Sequence, residues 1–336
     1  METLTDRFGR THDYLRISLI ETCNLRCTYC MPEEFQASLH QSQRMTADEI
    51  HVLAKIFIDL GVKKIRLTGG EPLVRKDARQ IIHSLSKYTS SEKNKDAVNL
   101  AITTNGIYIH DFLDDFKAAN IRSVNISLDT LIPERFEAIT KRNYFHRVMS
   151  NIHLLLQNNF HVKVNAVVMK GVNDDELIDF VQWTRDFPID VRFIEFMPFD
   201  GNQWKKEKVI SCKEMLDRIG NYYEVVPLEK EKNGTAKNFK VLGFEGTFAV
   251  ISTMSAPFCS DCNRMRLTAD GKMKNCLFSK DEIDLLTPLR KGEDVKQFIL
   301  DCLHSKHASL GGQFSPDDLP SETHPIENRS MITIGG

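Results

Sequence analysis

TADEIHVLAKIFIDLGVKKIRLTGGEP (46–72) holds one complete unit of the fold: a helix, a strand, and the loop that leaves the strand. Thr46 with Glu49 three residues later reads as a capping box, and Gly61 marks the helix stop. KKIRLT (63–68) has the short, β-rich pattern of a strand. Working outward, the same kind of strand is expected at YLRISLI (14–20), NLAITT (99–104), SVNISLD (123–129), HVKVNAVVM (161–169) and VRFIEFM (191–197). Amphipathic stretches at 76–88, 110–120, 146–158 and 174–187 read as the intervening helices. Six such repeats predict an α/β fold with a parallel sheet, either open or curled into a partial (β/α)6 barrel of TIM type.

Side chains two apart on a strand share a face. One face then carries Arg16, Ser18, Arg66, Thr68, Thr103, Asn105, Asn125, Ser127, Asp129, Lys163, Asn165 and Glu195, and the other carries the Leu, Ile and Val residues between them. The apolar face belongs under the helices, which leaves a polar lumen suited to a polar ligand. A one-sided sheet with a solvated polar face is the alternative, although parallel strands are usually covered on both faces. After residue 200 the alternation stops: 211–220 reads as a helix, YYEVVPL, FKVLGF and TFAVIST as short antiparallel strands, and 280–307 as helical. The expected divisions are a barrel over 1–200, an α+β extension over 201–310 and a flexible tail over 311–336.

Composition narrows the function classes. Hydrophobic content of 41% and charged content of 27% describe a soluble globular chain, and a net charge of −2 gives no basic field for nucleic acid or membranes. The first sixteen residues lack the apolar core of a signal peptide, and no apolar run reaches the roughly 18 residues of a membrane span. A cytoplasmic address is therefore expected. Eight cysteines in such a chain read as ligands or buried thiols rather than disulfides. Cys212 and Cys302 stand alone and read as small buried hydrophobes.

The other six form two trios. Cys23, Cys27 and Cys30 follow the first strand, at the end of a barrel where catalysis is found. Structural zinc normally takes four ligands, so three local thiolates fit better a [4Fe–4S] cluster with one open iron. Zinc completed by His12 or His40 is the competing reading. Tyr29 beside the third Cys matches the aromatic usual in the CxxxCxxC motif of radical S-adenosylmethionine (SAM) enzymes. Gly69-Gly70-Glu71-Pro72 resembles the segment whose backbone, in that class, approaches the methionine amino group of SAM. Cys259, Cys262 and Cys276 form the second trio, with zinc completed by a His or Cys302 as its alternative. Arg264 and Arg266 follow it directly, and guanidinium forks suit phosphate.

Taken together, DRFGR (6–10), CNLRCTYCMP (23–32), KKIRLTGGEPLVR (63–75), TTNG (103–106), VNISLDTL (124–131), VKVNAVVMKGVNDDE (162–176), RFIEFMP (192–198), FCSDCNRMRLTADGK (258–272) and Gly335-Gly336 resemble the GTP 3′,8-cyclase family of molybdenum cofactor biosynthesis. The resemblance implies two [4Fe–4S] clusters, a SAM site at Tyr29, Gly70, Ser127 and Met197, and a GTP site at Arg16, Arg66, Thr103, Lys163, Arg264, Met265 and Arg266. It further implies a C-terminal Gly335-Gly336 tail reaching the active site, a homodimer, and a cyclic pyranopterin monophosphate synthase downstream. No electron donor is legible. Glu21-Thr22 stands where the family often has Asp-Arg, an exchange expected to affect loop packing rather than activity. The rival readings are a radical SAM enzyme with an auxiliary cluster acting on another substrate, and a non-catalytic zinc-stabilised binding protein.

Overall fold

The computed structural model describes residues 3–31, 41–89, 97–321 and 324–335. Gly336 and His40 lie outside the described residues. Six strands, β1 (Tyr14–Ser18), β2 (Lys64–Thr68), β3 (Asn99–Thr104), β4 (Ser123–Ser127), β5 (His161–Val168) and β6 (Asp190–Glu195), pair in parallel in chain order. Between them run α1 (Ala47–Asp59), α2 (Ala78–Ser86), α3 (Ile109–Ala118), α4 (Pro133–Thr140), α5 (Phe145–Gln157) and α6 (Leu177–Trp183). α1 begins as expected: Thr46 and Glu49 cap each other's backbone N–H groups. α4 is additional to the helices expected from periodicity; Pro133 in its first turn, where the lost N–H is harmless, is the signal that marks it.

The expected apolar face lies under the helices. Leu15, Ile17, Ile65, Leu67, Ile102, Val124, Ile126, Val162 and Val164 join Ile50, Leu53 and Phe57 of α1 and Val148 and Ile152 of α5 in one core. Each such side chain contributes about 1.5–3 kcal/mol by leaving water. Phe57→Ala, at a fully buried position, is the kind of change that would cost about 3–5 kcal/mol.

The chain then extends the sheet at both ends. α7 (Cys212–Gly220) leads to β7 (Val225–Pro227), β8 (Lys237–Val241) and β9 (Thr247–Ile251), and β9 pairs in parallel with β6. β10 (Arg264–Leu267) pairs in parallel with β1, followed by antiparallel β11 (Lys272–Lys274) and β12 (Ile283–Asp284). The sheet therefore stays open, with β12 at one end and β7 at the other. α8 (Leu286–Arg290), α9 (Lys296–His304) and the short α10 (Met331–Ile334) are the remaining α-helices among the described residues. Cys212 and Cys302 are buried, as expected. Among the described residues, no helix is long and apolar enough to cross a membrane.

Candidate functional site

The polar strand face opens onto one cavity of about 610 Å³, and all six clustered cysteines border it. Cys23, Cys27 and Cys30 sit on the loop after β1. This loop is held by the GGEP segment after β2. Gly70 N–H donates to Ile20 O at 2.6 Å and Glu71 N–H to Thr22 O at 2.9 Å. A Cβ on Gly70 would lie 2.5 Å from Thr22 O, so glycine is required for contact with the cysteine loop itself. Gly70 borders the cavity as well, but the close approach seen is between two loops of the chain. Glu21 is buried and paired with Arg44 at 2.5 Å, which ties the loop to the segment before α1.

Carboxylates surround this trio. Glu71 is buried; its carboxylate accepts from Leu73 N (3.0 Å), Thr104 Oγ1 (2.8 Å) and Asn105 N (2.7 Å), and burial raises it to about 7. Asp129 accepts from Tyr29 Oη (2.8 Å) and Val167 N (2.9 Å), and burial raises it to about 6. Burial, then Glu71, raises Cys23 to about 11; burial, then Cys23 and Asp129, raises Cys30 to about 12. Burial and Asp129 push Cys27 up too. Three thiols bordering the cavity, with the buried, unpartnered Asn125 Oδ1 and Asn165 Oδ1 bordering it too, fit a cluster with a polar ligand beside it. Among the described residues, no three His, Cys, Asp or Glu side chains close on a point that would hold a single metal ion.

The other wall is cationic. Arg16, Lys64, Arg66, Lys163, Arg192, Arg264 and Arg266 all border the cavity. Arg66 donates from Nε to Tyr14 Oη (2.6 Å) and from Nη1 to Ile102 O (2.8 Å) and Thr103 Oγ1 (3.4 Å). Arg264 lies over the Tyr14 and Phe258 rings, 5.4 and 5.6 Å from their centroids, and donates to Thr235 Oγ1. Its Nη1 is buried without a partner. Burial pushes the Tyr14 phenol up, but Arg66, Arg16, Arg264 and Lys64 together bring it down to about 6. Burial lowers Arg16 to about 10, Arg266 to about 9 and Lys163 to about 8. Such lowered cations mark a place short of negative charge.

Of the residues expected to touch ligand, Tyr29, Gly70, Ser127, Met197, Arg16, Arg66, Thr103, Lys163, Arg264 and Arg266 meet at the cavity. Met265 does not. It alternates with Arg264 and Arg266 on β10, so its side chain falls on the opposite face, fully buried in the core. Glu195 is likewise out of phase. On β6 it is Arg192 and Ile194 that border the cavity, while the buried Glu195 accepts from Cys212 N, Met254 N, Ser255 N and Ser255 Oγ. Gly335 packs between Ser18 and Thr68, and its carbonyl accepts from Arg266 Nη1 at 2.9 Å. The polar face as read from the sequence leaves out Lys64, which alternates with Arg66, and Arg192, which the wrong phase at Glu195 put on the other face; both border the cavity. Glu231 to Ala236, on the loop between β7 and β8, escape sequence reasoning because no local pattern tells that this hairpin turn overhangs the barrel.

Residues 17–184 match the Radical SAM superfamily and residues 189–310 match Molybdenum Cofactor Synthesis C. The fold is similar to the crystal structure of Streptococcus suis SuiB bound to S-adenosylmethionine, with a TM-score of 0.63 and 13% identity over 96% of this chain and 72% of that one. The chain thus belongs to the Radical SAM superfamily. Within that class it is 40% identical to the GTP 3′,8-cyclase of Thermodesulfovibrio yellowstonii over 99% of this chain and all of the relative. It is 45% identical to the mitochondrial GTP 3′,8-cyclase of Arabidopsis thaliana over 100% of this chain and 84% of the relative. The chain belongs to the GTP 3′,8-cyclase family of molybdenum cofactor biosynthesis. It is also 44% identical to human molybdenum cofactor biosynthesis protein 1, over 98% of this chain, and spans about half (51%) of that protein's length.

Proposed function

We propose that this chain cyclises GTP to (8S)-3′,8-cyclo-7,8-dihydroguanosine 5′-triphosphate, the first step of molybdenum cofactor biosynthesis, using two [4Fe–4S] clusters and SAM. The observation that carries this reading is the single cavity bordered by both cysteine trios and by eight cationic side chains, Arg16, Lys64, Arg66, Lys163, Arg192, Lys232, Arg264 and Arg266. A cluster at Cys23, Cys27 and Cys30, together with SAM, would supply the radical that takes a hydrogen atom from C3′ of the ribose; C3′ then bonds to guanine C8, and one electron from the reductant with one proton from solvent completes the dihydro product.

The chain's own residues position and shield. Asn125, Ser127 and Asn165, on neighbouring strands β4 and β5, offer polar atoms to SAM. Met197 adds an apolar contact, and Gly70 lets the GGEP segment close on the cysteine loop. Tyr29, fixed by Asp129, supports the loop of the first trio. The cations answer the triphosphate: Arg66 is held rigid by Tyr14 and Ile102 O, and Arg264 by two rings. Guanidinium forks bind phosphate oxygens in pairs, while Lys64 and Lys163 act as compact charges. The second trio would hold the base end of GTP. The β7–β8 loop and, from the tail, Met331 border the cavity and would help shield the reactive centre from water. The product would pass to a cyclic pyranopterin monophosphate synthase.

The test is anaerobic incubation of reconstituted protein with SAM, a reductant and GTP. We expect 5′-deoxyadenosine only when GTP is present, together with a cyclised nucleotide. If GTP stimulates neither, the substrate assignment fails.

A further inference from the structure

The DRFGRTH segment (6–12) has no place in the cavity, yet it is densely bonded. Asp6 accepts from Phe8 N (2.9 Å), Arg10 N (3.1 Å) and Arg10 Nε (2.6 Å). The Arg10 guanidinium then reaches across to the C-terminal part of the chain. Its Nη1 donates to Cys259 O (2.7 Å) and Ala308 O (2.8 Å), and its Nη2 to His307 O (3.0 Å). His12, fully buried, donates from Nδ1 to Arg10 O at 2.9 Å, so its Nε2 is left to accept from Lys306 Nζ, also at 2.9 Å. Lys306 is 2% exposed; it also donates to Arg264 O (3.2 Å) and to Cys262 Sγ (3.8 Å).

A buried ammonium is costly unless an opposite charge meets it. Among the described residues, Lys306 has no carboxylate within ion-pair distance, and Cys262 is the one ionisable acid it touches. Its charge is balanced when Cys262 is a thiolate, which is the form a cluster ligand takes. An N–H donor and a positive charge beside a ligating sulfur also favour the more negative, reduced state of the cluster.

We infer that Lys306, oriented by His12 and the Asp6–Arg10 pair, is a positioning residue that holds the second cysteine trio and raises the reduction potential of the cluster bound there. The inference rests on the proposed second cluster.

The test is an EPR-monitored redox titration of the anaerobically reconstituted full chain, with iron counted per chain, for wild type, Lys306→Met and Lys306→Arg. Lys306→Met should move the potential of the second cluster to more negative values and leave the first unchanged, and Lys306→Arg should restore most of the shift. An unmoved second potential, or an equal shift of both clusters, overturns the inference. If Lys306→Met sheds the second cluster, Lys306→Gln takes its place in the titration, with the same shift expected and the same two results overturning the inference. Wild-type protein with one cluster only would overturn the two-cluster reading and this inference with it, a result separate from an unshifted potential.

Discussion

The two cysteine trios share one cavity but sit in opposite electrical surroundings. Around Cys23, Cys27 and Cys30, burial and the carboxylates of Glu71 and Asp129 push the thiols upward. At Cys262 burial pushes the same way, yet Lys306 and Arg264 outweigh it and the thiol ends below its ordinary value. Cys276 remains raised through burial. One wall therefore disfavours added negative charge and the other favours it. In the proposed reaction this sorts two ligands of opposite sign within a single cavity: a sulfonium on the carboxylate side, a triphosphate on the guanidinium side.

The largest effects should come from cutting each end separately. Cys27→Ser should lose SAM binding and roughly four of about eight irons, while GTP still binds. Cys276→Ser should lose the other four irons and all cyclised nucleotide, while SAM still binds. Iron analysis and separate binding titrations check this. If either substitution removes both ligands, the division of the cavity into two ends is wrong.

Next in size is Arg266→Ala. Loss of a charge-assisted contact should weaken GTP about 10- to 100-fold, with SAM affinity held within about twofold, since the change leaves the first wall intact. It also removes the shorter of the two hydrogen bonds to Gly335 O, leaving the one from Thr68 Oγ1 at 3.4 Å. Gly335→Ala should then weaken the same step without touching either cluster, because its Cβ would meet Ser18 Cβ at 2.7 Å and Thr68 Oγ1 at 2.8 Å. Equal losses in GTP and SAM binding for Arg266→Ala would show that the wall does not discriminate.

The asymmetry between the ends also explains how much of the molecule is legible in its sequence. β1 to β6 are legible because each strand is covered by helices on one face and faces the cavity on the other, which writes a period of two into the sequence. The phase fails at Glu195, where a carboxylate sits on the far side because four donors around it satisfy its charge. Both cysteine trios are legible because their spacing is local. The setting of the second trio is not: His12 meets Lys306, and Arg10 meets His307 O and Ala308 O, across about 300 residues of chain and only through folding. The pairing of β9 with β6 and of β10 with β1 is equally non-local.

His12 offers a smaller test of the cationic end. Burial, then the Lys306 charge, lowers it to about 4; Asp6 and the hydrogen bond to Arg10 O oppose this, and the Arg10 charge adds a little to the lowering. The unfolded chain takes up a proton near pH 6.5 that the folded chain refuses. This contribution to stability is therefore complete above about pH 6.5 and lost as pH falls toward 4, by about 1 kcal/mol per pH unit. The melting temperature should drop more steeply between about pH 6.5 and 5.5 in wild type than in His12→Gln. Parallel profiles would mean that His12 does not titrate as its surroundings require.

The smallest effect expected is at Lys163, and it probes the cationic wall without disturbing it. Burial lowers its ammonium to about 8; Arg192 and Lys64 push the same way, while Asp190 and Glu231 oppose them. A bound triphosphate favours the charged form, so GTP binding at about pH 8.5 must be accompanied by proton uptake. The sign follows: affinity is full well below about pH 8 and falls as pH rises through it, about fourfold by pH 8.5. Lys163→Arg stays charged throughout, and the Tyr14 phenol, which titrates lower at about 6, is common to both proteins. The difference between their pH profiles therefore isolates Lys163. Calorimetry in buffers of unlike ionisation enthalpy gives the proton count directly. The same measurement with SAM should show no difference between the two proteins, because SAM belongs to the other wall; a difference there would place Lys163 at the wrong end of the cavity.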